Sequence, residues 1–476
     1  MDILIKALQL VLALVILVTI HEFGHYIFAR MFGVKVNRFY LFFNPWFSLL
    51  RYDPMKGTVD VFARNGEKGL FTLRAGKPAT PRADGKSTWR DTIYGLGWLP
   101  LGGYCDIAGM VDETKSADQL ASEPQDWELR SKPAWQRLCV MVAGVTLNFV
   151  LAIIIYIGIA IHWGDDVIPF QAMTEGMDFS EELQEAGFRN GDILESLNGK
   201  PLDATDYSLA WDMIQPGARV GVLRGGKPET IEISESLIRT VATKGKDYTP
   251  MAMRIPVYVA KVVNGDPAAA AGIQPGDRIL TVGADTVPSI TEFLPSLSAH
   301  AGRTIPMRLV RKDGKEEVVD ITVSDAGKIG IQMLSPLEIF DRQTIHYNFF
   351  QAIPRGWEIG TDRLSSYVSS LKLVFTKEGA QSIGGFGTLG DLFPSQWNWY
   401  SFWQITAFLS IILAFMNIIP IPGLDGGYTL FLIVEMITGR KPSDKFLEVV
   451  NTCGFALLLL LLVYANGNDL YRFLLK

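Results

Sequence analysis

Four long apolar stretches constrain the fold of this 476-residue chain more than any other feature. They cover Ile3–Ile20, Leu138–Ile161, Phe402–Ile421 and Val449–Gly467, and Lys6 is the one charged residue within them. Each can cross a hydrocarbon layer of about 30 Å as a helix, because about 20 residues rise 1.5 Å each. The sequence therefore predicts a multi-pass α-helical membrane protein with four transmembrane helices. No small-residue cleavage site follows the first stretch, so we expect it to be retained.

The distribution of Lys and Arg predicts the orientation of these spans, since basic residues favour the cytoplasmic side. No Lys or Arg occurs from Leu138 to Phe188 or from Glu378 to Gly439. Basic residues do cluster in segments 30–137 and 430–446, which we therefore expect to be cytoplasmic. The region 162–400 is then extracytoplasmic, which in a bacterium means periplasmic.

Charge and cysteine content exclude several classes of function. The formal net charge is -6, so the chain offers no broad basic surface for nucleic acid, and we expect no nucleic-acid partner. Cys105, Cys139 and Cys453 have neither the spacing of a metal knuckle nor the density of a disulfide-rich domain. We expect these cysteines to be packing residues.

A pattern recurs in the extracytoplasmic region. Residues 186–194 and 271–280 both contain Ala-Gly-x-x-x-Gly-Asp, with Asp192 and Asp277 at equivalent positions. Each copy continues into two alternating strands around a glycine turn, which predicts two α+β units of about 85 residues each. The signature resembles PDZ domains, whose groove can bind an extended peptide as an added strand. The alternative is a pair of β-rich spacers without a ligand.

The cytoplasmic segment also has the pattern of strands. Gly57–Val61 and Gly69–Leu73 alternate between turn residues, and Thr92–Met110 is rich in glycine with Asp106 as its one charged residue. Non-helical backbone at membrane depth must be buried in protein or line a wet cavity. We interpret Thr92–Met110 as a hairpin that dips toward the bilayer, a membrane re-entrant β element. The alternative is an ordinary cytosolic sheet.

Segment 346–376 has the spacing of an amphipathic helix at the outer interface. It could gate the access of substrate between the spans, or it could simply pack on the PDZ-like pair.

The predicted organisation of the whole chain is a first transmembrane helix in 1–35, a cytoplasmic segment with the re-entrant sheet in 36–135, a second transmembrane helix in 136–163, PDZ-like domains in 164–250 and 251–335, an interfacial segment in 336–398, a third transmembrane helix in 399–422, a Leu-Asp-Gly motif and cytoplasmic loop in 423–445, and a fourth transmembrane helix with the C-terminal tail in 446–476.

The motif His21-Glu22-Phe23-Gly24-His25 lies at the predicted cytoplasmic end of the first span. Its two histidines are four residues apart and therefore share one helical face, which is the geometry of a two-ligand metal clamp. Glu22 lies about 100° round the helix from His21, where it can take a proton from metal-bound water without being a ligand. Ionisable groups within a membrane helix favour a functional site over a structural one.

A catalytic zinc ion usually has three protein ligands and one open position. His162, His300 and His346 are predicted to lie on the far side of the membrane. Asp425 follows the third span on the same side as His25, in a segment whose prolines and glycines break the helix. We therefore expect Asp425 to be the third ligand; the alternative is an Asp that caps a helix-terminating turn.

These motifs together resemble the site-2 protease family of intramembrane zinc metalloproteases. The resemblance rests on the HExxH motif, the tandem PDZ-like region and Asn-x-x-Pro-x-Pro-x-Leu-Asp-Gly, and it covers essentially the whole chain. It implies that His21, His25 and Asp425 bind one Zn²⁺ per chain and that Glu22 is the catalytic acid and base. It also implies a location in the bacterial inner membrane, with the active site toward the cytoplasm.

The same resemblance extends to residues that handle substrate. Asn417, Pro420 and Pro422 match positions for substrate handling, and the family's re-entrant β element, which pairs with an extended substrate, is matched by Gly102, Gly103 and Tyr104. The chain departs from the family pattern at three positions that the family often fills with Pro, His and Pro: Val145, Tyr428 and Phe386. None of these departures removes a ligand or the base.

The activity implied by the resemblance is cleavage within the membrane segment of single-pass proteins. Such substrates would include an anti-sigma factor and signal-peptide remnants, cut after a first protease has trimmed the outer domain, with the PDZ-like pair acting as a size filter. An alternative is a non-catalytic membrane scaffold that binds periplasmic peptides and holds a structural metal. A metal transporter would need more intramembrane ligands than His21, His25 and Asp425 provide.

Overall fold

The computed structural model describes residues 2–64, 69–80, 88–100, 102–110, 123–202, 213, 215–244, 248–374 and 384–475. These residues form two compact units. The membrane-helix unit contains Met1–Trp163 and His346–Lys476, and the β-rich unit contains Gly164–Ile345.

The helices differ greatly in length. In chain order they are α1 (Asp2–Met31), α2 (Ala134–His162), α3 (Glu181–Glu185), α4 (Glu235–Ala242), α5 (Pro267–Ala270), α6 (Ile290–Ala299), α7 (Pro336–Ile339), α8 (Phe349–Val374), α9 (Phe386–Asp391), α10 (Trp399–Ile418), α11 (Asp425–Thr438) and α12 (Asp444–Leu475).

Within the described residues, four helices are long and apolar enough to cross a membrane: α1, α2, α10 and the Lys445–Arg472 part of α12. The prediction of a four-span membrane protein is therefore confirmed at the level of helix length and composition. Helix α10 ends at Ile418, because Pro420 and Pro422 follow and neither can continue a helix. Helix α1 continues beyond Ile20 to Met31 and so contains the whole HExxH motif.

Six strands between α1 and α2 form one sheet: β1 (Val36–Leu41), β2 (Phe43–Asp53), β3 (Thr58–Arg64), β4 (Gly69–Arg74), β5 (Ile93–Leu99) and β6 (Tyr104–Ile107). Their order is β4-β3-β2-β5-β1-β6, so β1 lies between β5 and β6. The predicted hairpin in Thr92–Met110 is therefore wrong. Gly95 does not form a turn; a Cβ there would lie 2.2 Å from the Tyr40 ring, so the glycine makes room for β1.

The two faces of this sheet differ in polarity. Residues directly opposite each other in neighbouring strands share a face, and one face carries the row Leu41, Leu96, Leu50, Val61 and Phe71. Phe71 remains 61% exposed at the end of this row. The sheet thus has an apolar surface that the described protein leaves uncovered.

The other face of the sheet carries a polar network. Thr72 Oγ1 and Arg51 Nη2 donate hydrogen bonds of 2.6 and 2.7 Å to the Asp60 carboxylate. Burial acts to raise the pKa of Asp60, but these hydrogen bonds and the Arg51 charge hold it below its usual value. Asp60 therefore remains an ionised acceptor between β2 and β4.

Helix α2 is the centre of the membrane-helix unit, and α1, α8, α10 and α11 all pack against it. Glycines allow the closest approaches. A Cβ on Gly24 of α1 would lie 2.6 Å from the Ala143 carbonyl oxygen of α2, and one on Gly360 of α8 would lie 2.3 Å from Cδ1 of Ile153. These contacts bring backbones together as small residues commonly do between membrane helices.

Residues Asp425–Thr438, placed in a cytoplasmic loop by the sequence analysis, form α11 instead. Gly426, Gly427, Thr429 and Leu432 of this helix are buried. Its Glu435 accepts a hydrogen bond from Arg137 Nη2 at the start of α2. An apolar face and a nearly buried ion pair therefore hold this segment as a helix against α2.

Fourteen strands belong to the β-rich unit: β7 (Asp165–Val167), β8 (Met177–Phe179), β9 (Ile193–Leu197), β10 (Lys200–Pro201), β11 (Arg219–Arg224), β12 (Lys227–Glu232), β13 (Met251–Met253), β14 (Val259–Val262), β15 (Arg278–Val282), β16 (Asp285–Thr286), β17 (Thr304–Val310), β18 (Glu316–Thr322), β19 (Ile331–Met333) and β20 (Gln343–Ile345), counted over its described residues. Two four-stranded sheets have the same order, β10-β9-β11-β12 and β16-β15-β17-β18. Each sheet lies over its own apolar core. The internal repeat in the sequence is thus also a repeat of structure.

The repeated aspartates have equivalent partners. Asp192 accepts a hydrogen bond of 2.6 Å from Arg224 Nη2, and Asp277 accepts one of 2.7 Å from Arg311 Nη1. In each copy this pair links the Gly-Asp turn to the C-terminal end of an inner strand, β11 in the first copy and β17 in the second. The boundary between the copies lies after β13, because Met251–Met253 pairs with β8 of the first copy, three residues beyond the boundary drawn from the sequence.

Candidate metal centre and active site

The HExxH motif lies on one continuous turn of α1, as its spacing predicts. His21 and His25 are buried, and their Nε2 atoms lie 3.3 Å apart. Both imidazoles therefore point to the same place on the helix surface.

Asp425 joins this pair from α11. Its Oδ2 lies 3.1 Å from Nε2 of His21 and 3.3 Å from Nε2 of His25. The residue that caps α11 is Leu424, so Asp425 does not serve as a helix cap. It is the first residue of the helix, where the positive end of the helix dipole favours a carboxylate.

The turn before Asp425 is held by close backbone contacts. Gly423 has φ +89°, a conformation that other residues rarely adopt, and its turn follows Pro420 and Pro422. A Cβ on Gly454 of α12 would lie 1.8 Å from the carbonyl oxygen of Pro422. This turn therefore reaches its position only because α12 offers bare backbone at residue 454.

Helix α2 forms the wall behind the two histidines. The Val140 carbonyl oxygen lies 2.8 Å from Nδ1 of His25, and the Asn148 side-chain amide lies 3.3 Å from Nδ1 of His21. Between them, a Cβ on Gly144 would lie 2.6 Å from Nε2 of His25. Val140, Gly144 and Asn148 of α2 are thus spaced by four residues, which is also the spacing of the two histidines on α1.

Glu22 lies next to the three converging side chains without joining them. The backbone N–H of Cys105 in β6 donates a hydrogen bond to its carboxylate. The carboxylate therefore lies between the histidine pair and an edge strand of the sheet.

The donor set fits zinc. Ligand atoms bound at about 2.0–2.1 Å around a tetrahedral ion lie about 3.3 Å from one another. The three donor atoms here are separated by 3.1, 3.3 and 3.3 Å. No other set of three His, Cys, Asp or Glu side chains converges in this way among the residues that the structure describes.

The predicted substrate-binding residues lie at different places. Asn417 is at the centre, with Nδ2 3.5 Å from Nε2 of His21, whereas Pro420 and Pro422 belong to the turn between α10 and α11. A Cβ on Gly103 would lie 2.9 Å from Val18 of α1, and one on Gly102 would lie 2.8 Å from the Phe43 ring.

Tyr104 is tied to the sheet. Its hydroxyl donates a hydrogen bond of 3.0 Å to Oδ1 of Asn44, and its ring stacks on Tyr40. Burial raises the pKa of Tyr104 to about 12, so the hydroxyl keeps its proton at neutral pH. The structure thus shows a structural contact for this residue at the edge of the sheet.

Comparison with known proteins decides the family. The family model of peptidase family M50 matches residues 9–58 and 84–461. The chain belongs to peptidase family M50. This confirms the resemblance to the site-2 proteases and makes the protein a zinc metalloprotease.

Relatives of similar length extend the M50 assignment. A protein of Neisseria meningitidis named as a zinc metalloprotease is 26% identical over 98% of this chain and 99% of its own length. The regulator of sigma E protease of Haemophilus influenzae is 25% identical over 97% of this chain and 98% of its own length. The regulator of sigma-E protease of Escherichia coli is 24% identical over 97% of both chains. The chain is therefore similar over nearly its whole length to proteins named as regulators of sigma-E protease.

The sequence analysis missed the residues of α2 that contact the histidines. Asn148 is the one amide within Leu138–Ile161, and a buried amide in a membrane helix indicates a functional contact. Gly144 precedes it by four residues, the same interval as between His21 and His25. Both signals are present in the sequence, and together they would have indicated that α2 lies against the two histidines.

Proposed function

We propose that this zinc metalloprotease is an intramembrane endopeptidase that cuts peptide bonds within the transmembrane segments of single-pass membrane proteins. The observation that carries the proposal is that Asp425 of α11 meets His21 and His25, which lie with Glu22 on a helix long and apolar enough to span the bilayer. One zinc ion per chain would be held by these three side chains.

Each residue has a distinct part in the reaction. Zinc held by His21, His25 and Asp425 would supply the Lewis acidity that makes water a nucleophile at neutral pH. Glu22 takes a proton from the attacking water and later gives it to the leaving amine. Asn417, whose amide faces His21, orients the substrate carbonyl; the prolines at 420 and 422 fix the turn from which Asp425 emerges.

A helical substrate must unwind before its carbonyls can react. We propose that the unwound chain is held beside β6. This strand is at the edge of the sheet and pairs with β1 on one side. Its Cys105 N–H already reaches Glu22. A substrate added as a strand beside β6 would regain the hydrogen bonds that its helix has lost, at the position of the base.

The membrane re-entrant role of the sheet is part of this proposal. Gly103 lies against Val18, which is inside the apolar span of α1. The row that ends at Phe71 gives the sheet an uncovered apolar face, which suits contact with lipid. Gly102, Gly103 and Tyr104 would then guide substrate at membrane depth.

The β-rich unit supports a filter for substrates. Its two sheets of equal strand order suit a tandem of PDZ-like domains, which would lie in the periplasm and exclude proteins whose outer domain has not been trimmed by an earlier cut. Anti-sigma factors and signal-peptide remnants are the substrates that fit this proposal. The protein itself would lie in the bacterial inner membrane with its active site toward the cytoplasm.

The substitution Glu22→Gln tests the proposal, since it removes the base and leaves the three ligands. We expect cleavage of a single-pass test substrate in detergent or liposomes to fall by a factor of about 100 to 10,000, while about one zinc per chain remains bound. Glu358→Gln, at an exposed glutamate of α8, is the matched control and should cleave like the wild type.

Undiminished cleavage by Glu22→Gln would reject this mechanism. A non-catalytic scaffold with a structural metal is the rival function, and it predicts that neither variant nor wild type cuts the substrate, with zinc bound in all three. Adding a zinc chelator to the wild type should also stop cleavage if the proposal holds.

A further inference from the structure

Asn148 is a fully buried amide in the middle of α2. Its side chain lies 3.3 Å from Nδ1 of His21. Its backbone carbonyl accepts a hydrogen bond of 2.7 Å from the hydroxyl of Ser410, a residue of α10 that is also fully buried. Asn148 is thus held by one contact of its side chain and one of its backbone. A polar side chain in an apolar span is costly unless it has a hydrogen-bond partner, and such residues commonly mark functional sites.

The position of the proton on the His21 imidazole determines whether Asn148 must accept or donate a hydrogen bond. A neutral imidazole that offers Nε2 to a metal keeps its proton on Nδ1, and this N–H needs an acceptor. His25 shows the arrangement directly, because its Nδ1 lies 2.8 Å from the Val140 carbonyl oxygen, which can only accept. By the same requirement His21 needs an acceptor, and Asn148 is the side chain that faces its Nδ1.

The orientation of the amide plane follows from this requirement. With Nδ2 toward His21, the Oδ1 atom of Asn148 is buried without a hydrogen-bond partner, and Nδ1 would have to be an acceptor with the proton on Nε2. That tautomer cannot bind a metal through Nε2. Turning the amide plane by 180° exchanges the two atoms, which gives Oδ1 a donor and gives His21 the tautomer that the site needs.

We propose that Asn148 is a positioning residue whose side-chain oxygen accepts the Nδ1–H of His21 and thereby holds His21 in the metal-binding tautomer and orientation. Ser410 fixes the position of Asn148 by tying its backbone to α10. Helix α2 therefore supplies one acceptor to each histidine, the Val140 backbone for His25 and the Asn148 side chain for His21. This inference rests on the proposed ligand role of His21.

The test compares the zinc affinity of the full-length protein, measured by competition with a graded series of chelators, among several variants. Asn148→Leu removes the acceptor at similar volume, and we expect zinc affinity to fall by about 10- to 100-fold, as for other residues that orient metal ligands. Asn148→Asp keeps an acceptor oxygen and should stay within about threefold of the wild type. Thr146→Val, at an exposed residue of the same helix, is the control and should not change affinity.

Thermal unfolding of the zinc-free proteins separates a positioning role from a packing role. If Asn148→Leu unfolds at a lower temperature but binds zinc as tightly as the wild type, the inference is overturned. Equal losses of affinity in the Leu and Asp variants would overturn it too. Should the Leu variant not fold, Asn148→Ala also removes the acceptor, without adding bulk, and must show the same loss of affinity.

His21→Ala distinguishes failure of this inference from failure of the proposed function. Loss of zinc in His21→Ala together with unchanged affinity in Asn148→Leu would refute the role of Asn148 alone. Full zinc retention in His21→Ala would instead refute the proposed ligand set, and the inference would fall with it.

Discussion

At the scale of single residues, Gly144 shows how closely α2 approaches His21 and His25. A Cβ at this position would lie 2.6 Å from Nε2 of His25 and 2.8 Å from Cε1 of His21. No real Cβ tolerates such distances, so a side chain here must push the imidazoles or the helix aside. The positions of the two imidazoles therefore depend on the absence of a side chain at 144.

The substitution Gly144→Ala should lower stability by about 1–3 kcal/mol through overpacking, and zinc content should fall because the added methyl group lies against both histidines. Gly158→Ala on the same helix is the control. Among the residues that the structure describes, no neighbouring side chain or helix lies within 4 Å of a Cβ at 158, so this change should be neutral or stabilise by up to about 1 kcal/mol. Thermal unfolding and zinc analysis of both variants measure the difference, and normal zinc content in Gly144→Ala would contradict the explanation.

Sequence reasoning predicted the side chains that the structure brings together, and it missed the residues of α2 that contact them. His21, Glu22 and His25 are close in sequence, and their spacing on a helix fixes their geometry in advance. The position of Asp425 could be inferred because it ends an apolar span on the expected side. Asn148 and Gly144 act only through the packing of α2 on α1, and a single sequence does not show which helices are neighbours.

At the scale of elements, α8 confirms that a helix forms within the segment predicted from the sequence, and its packing shows what the prediction left open. An amphipathic helix at the outer interface was predicted for 346–376, of which residues 375–376 lie outside the described range. Helix α8 packs along α2 and α10. Its buried residues Ala352, Gly356 and Gly360 recur every four positions, the small-residue spacing of packed membrane helices. The sequence analysis did not use that spacing to predict which helices α8 packs against.

Gly356→Leu should displace α8 from α2, because a Cβ at 356 would already lie 2.5 Å from Cγ1 of Ile157. We expect a loss of about 1–3 kcal/mol in the stability of the membrane-helix unit. Ser366→Leu adds the same side chain at an exposed position of the same helix and should cost less. Unfolding in a graded denaturant series compares the two; equal effects would show that the contact with Ile157 contributes nothing specific.

The sheet shows a second limit of sequence reasoning at this scale. Alternating patterns located β3 and β4 to within a few residues, since each strand has a local signature. The insertion of β1 between β5 and β6 joins residues such as Arg38 and Ile93, which are distant in sequence. Strand order of this kind depends on which edges meet in space, and no local pattern encodes it.

At the scale of the whole molecule, the two units have separate cores, and the candidate ligands all belong to the membrane-helix unit. Hydropathy alone predicted the four spans, because length and apolar content suffice for that. The repeat predicted the duplicated sheets of the β-rich unit, because each copy carries its own turn residues. We therefore expect zinc to stabilise the membrane-helix unit directly and to have no direct effect on the stability of the β-rich unit.

Removal of zinc by a chelator should lower the unfolding temperature of the membrane-helix unit. A ligand present at 100 times its dissociation constant stabilises the folded state by about 2.7 kcal/mol, and chelation removes this contribution. Tryptophan fluorescence can follow the transition, since ten of the eleven tryptophans in the chain belong to the membrane-helix unit. Hydrogen exchange of β15 and β17 should stay unchanged; faster exchange in those strands would contradict the assignment of zinc to one unit.

The bare backbone at Gly454 limits which residues α12 can carry at this position. Because a Cβ at 454 would lie 1.8 Å from the Pro422 carbonyl oxygen, any side chain there must displace the turn that leads to Asp425. A residue of the last helix, far in sequence from His21 and His25, therefore limits where the Asp425 carboxylate can lie.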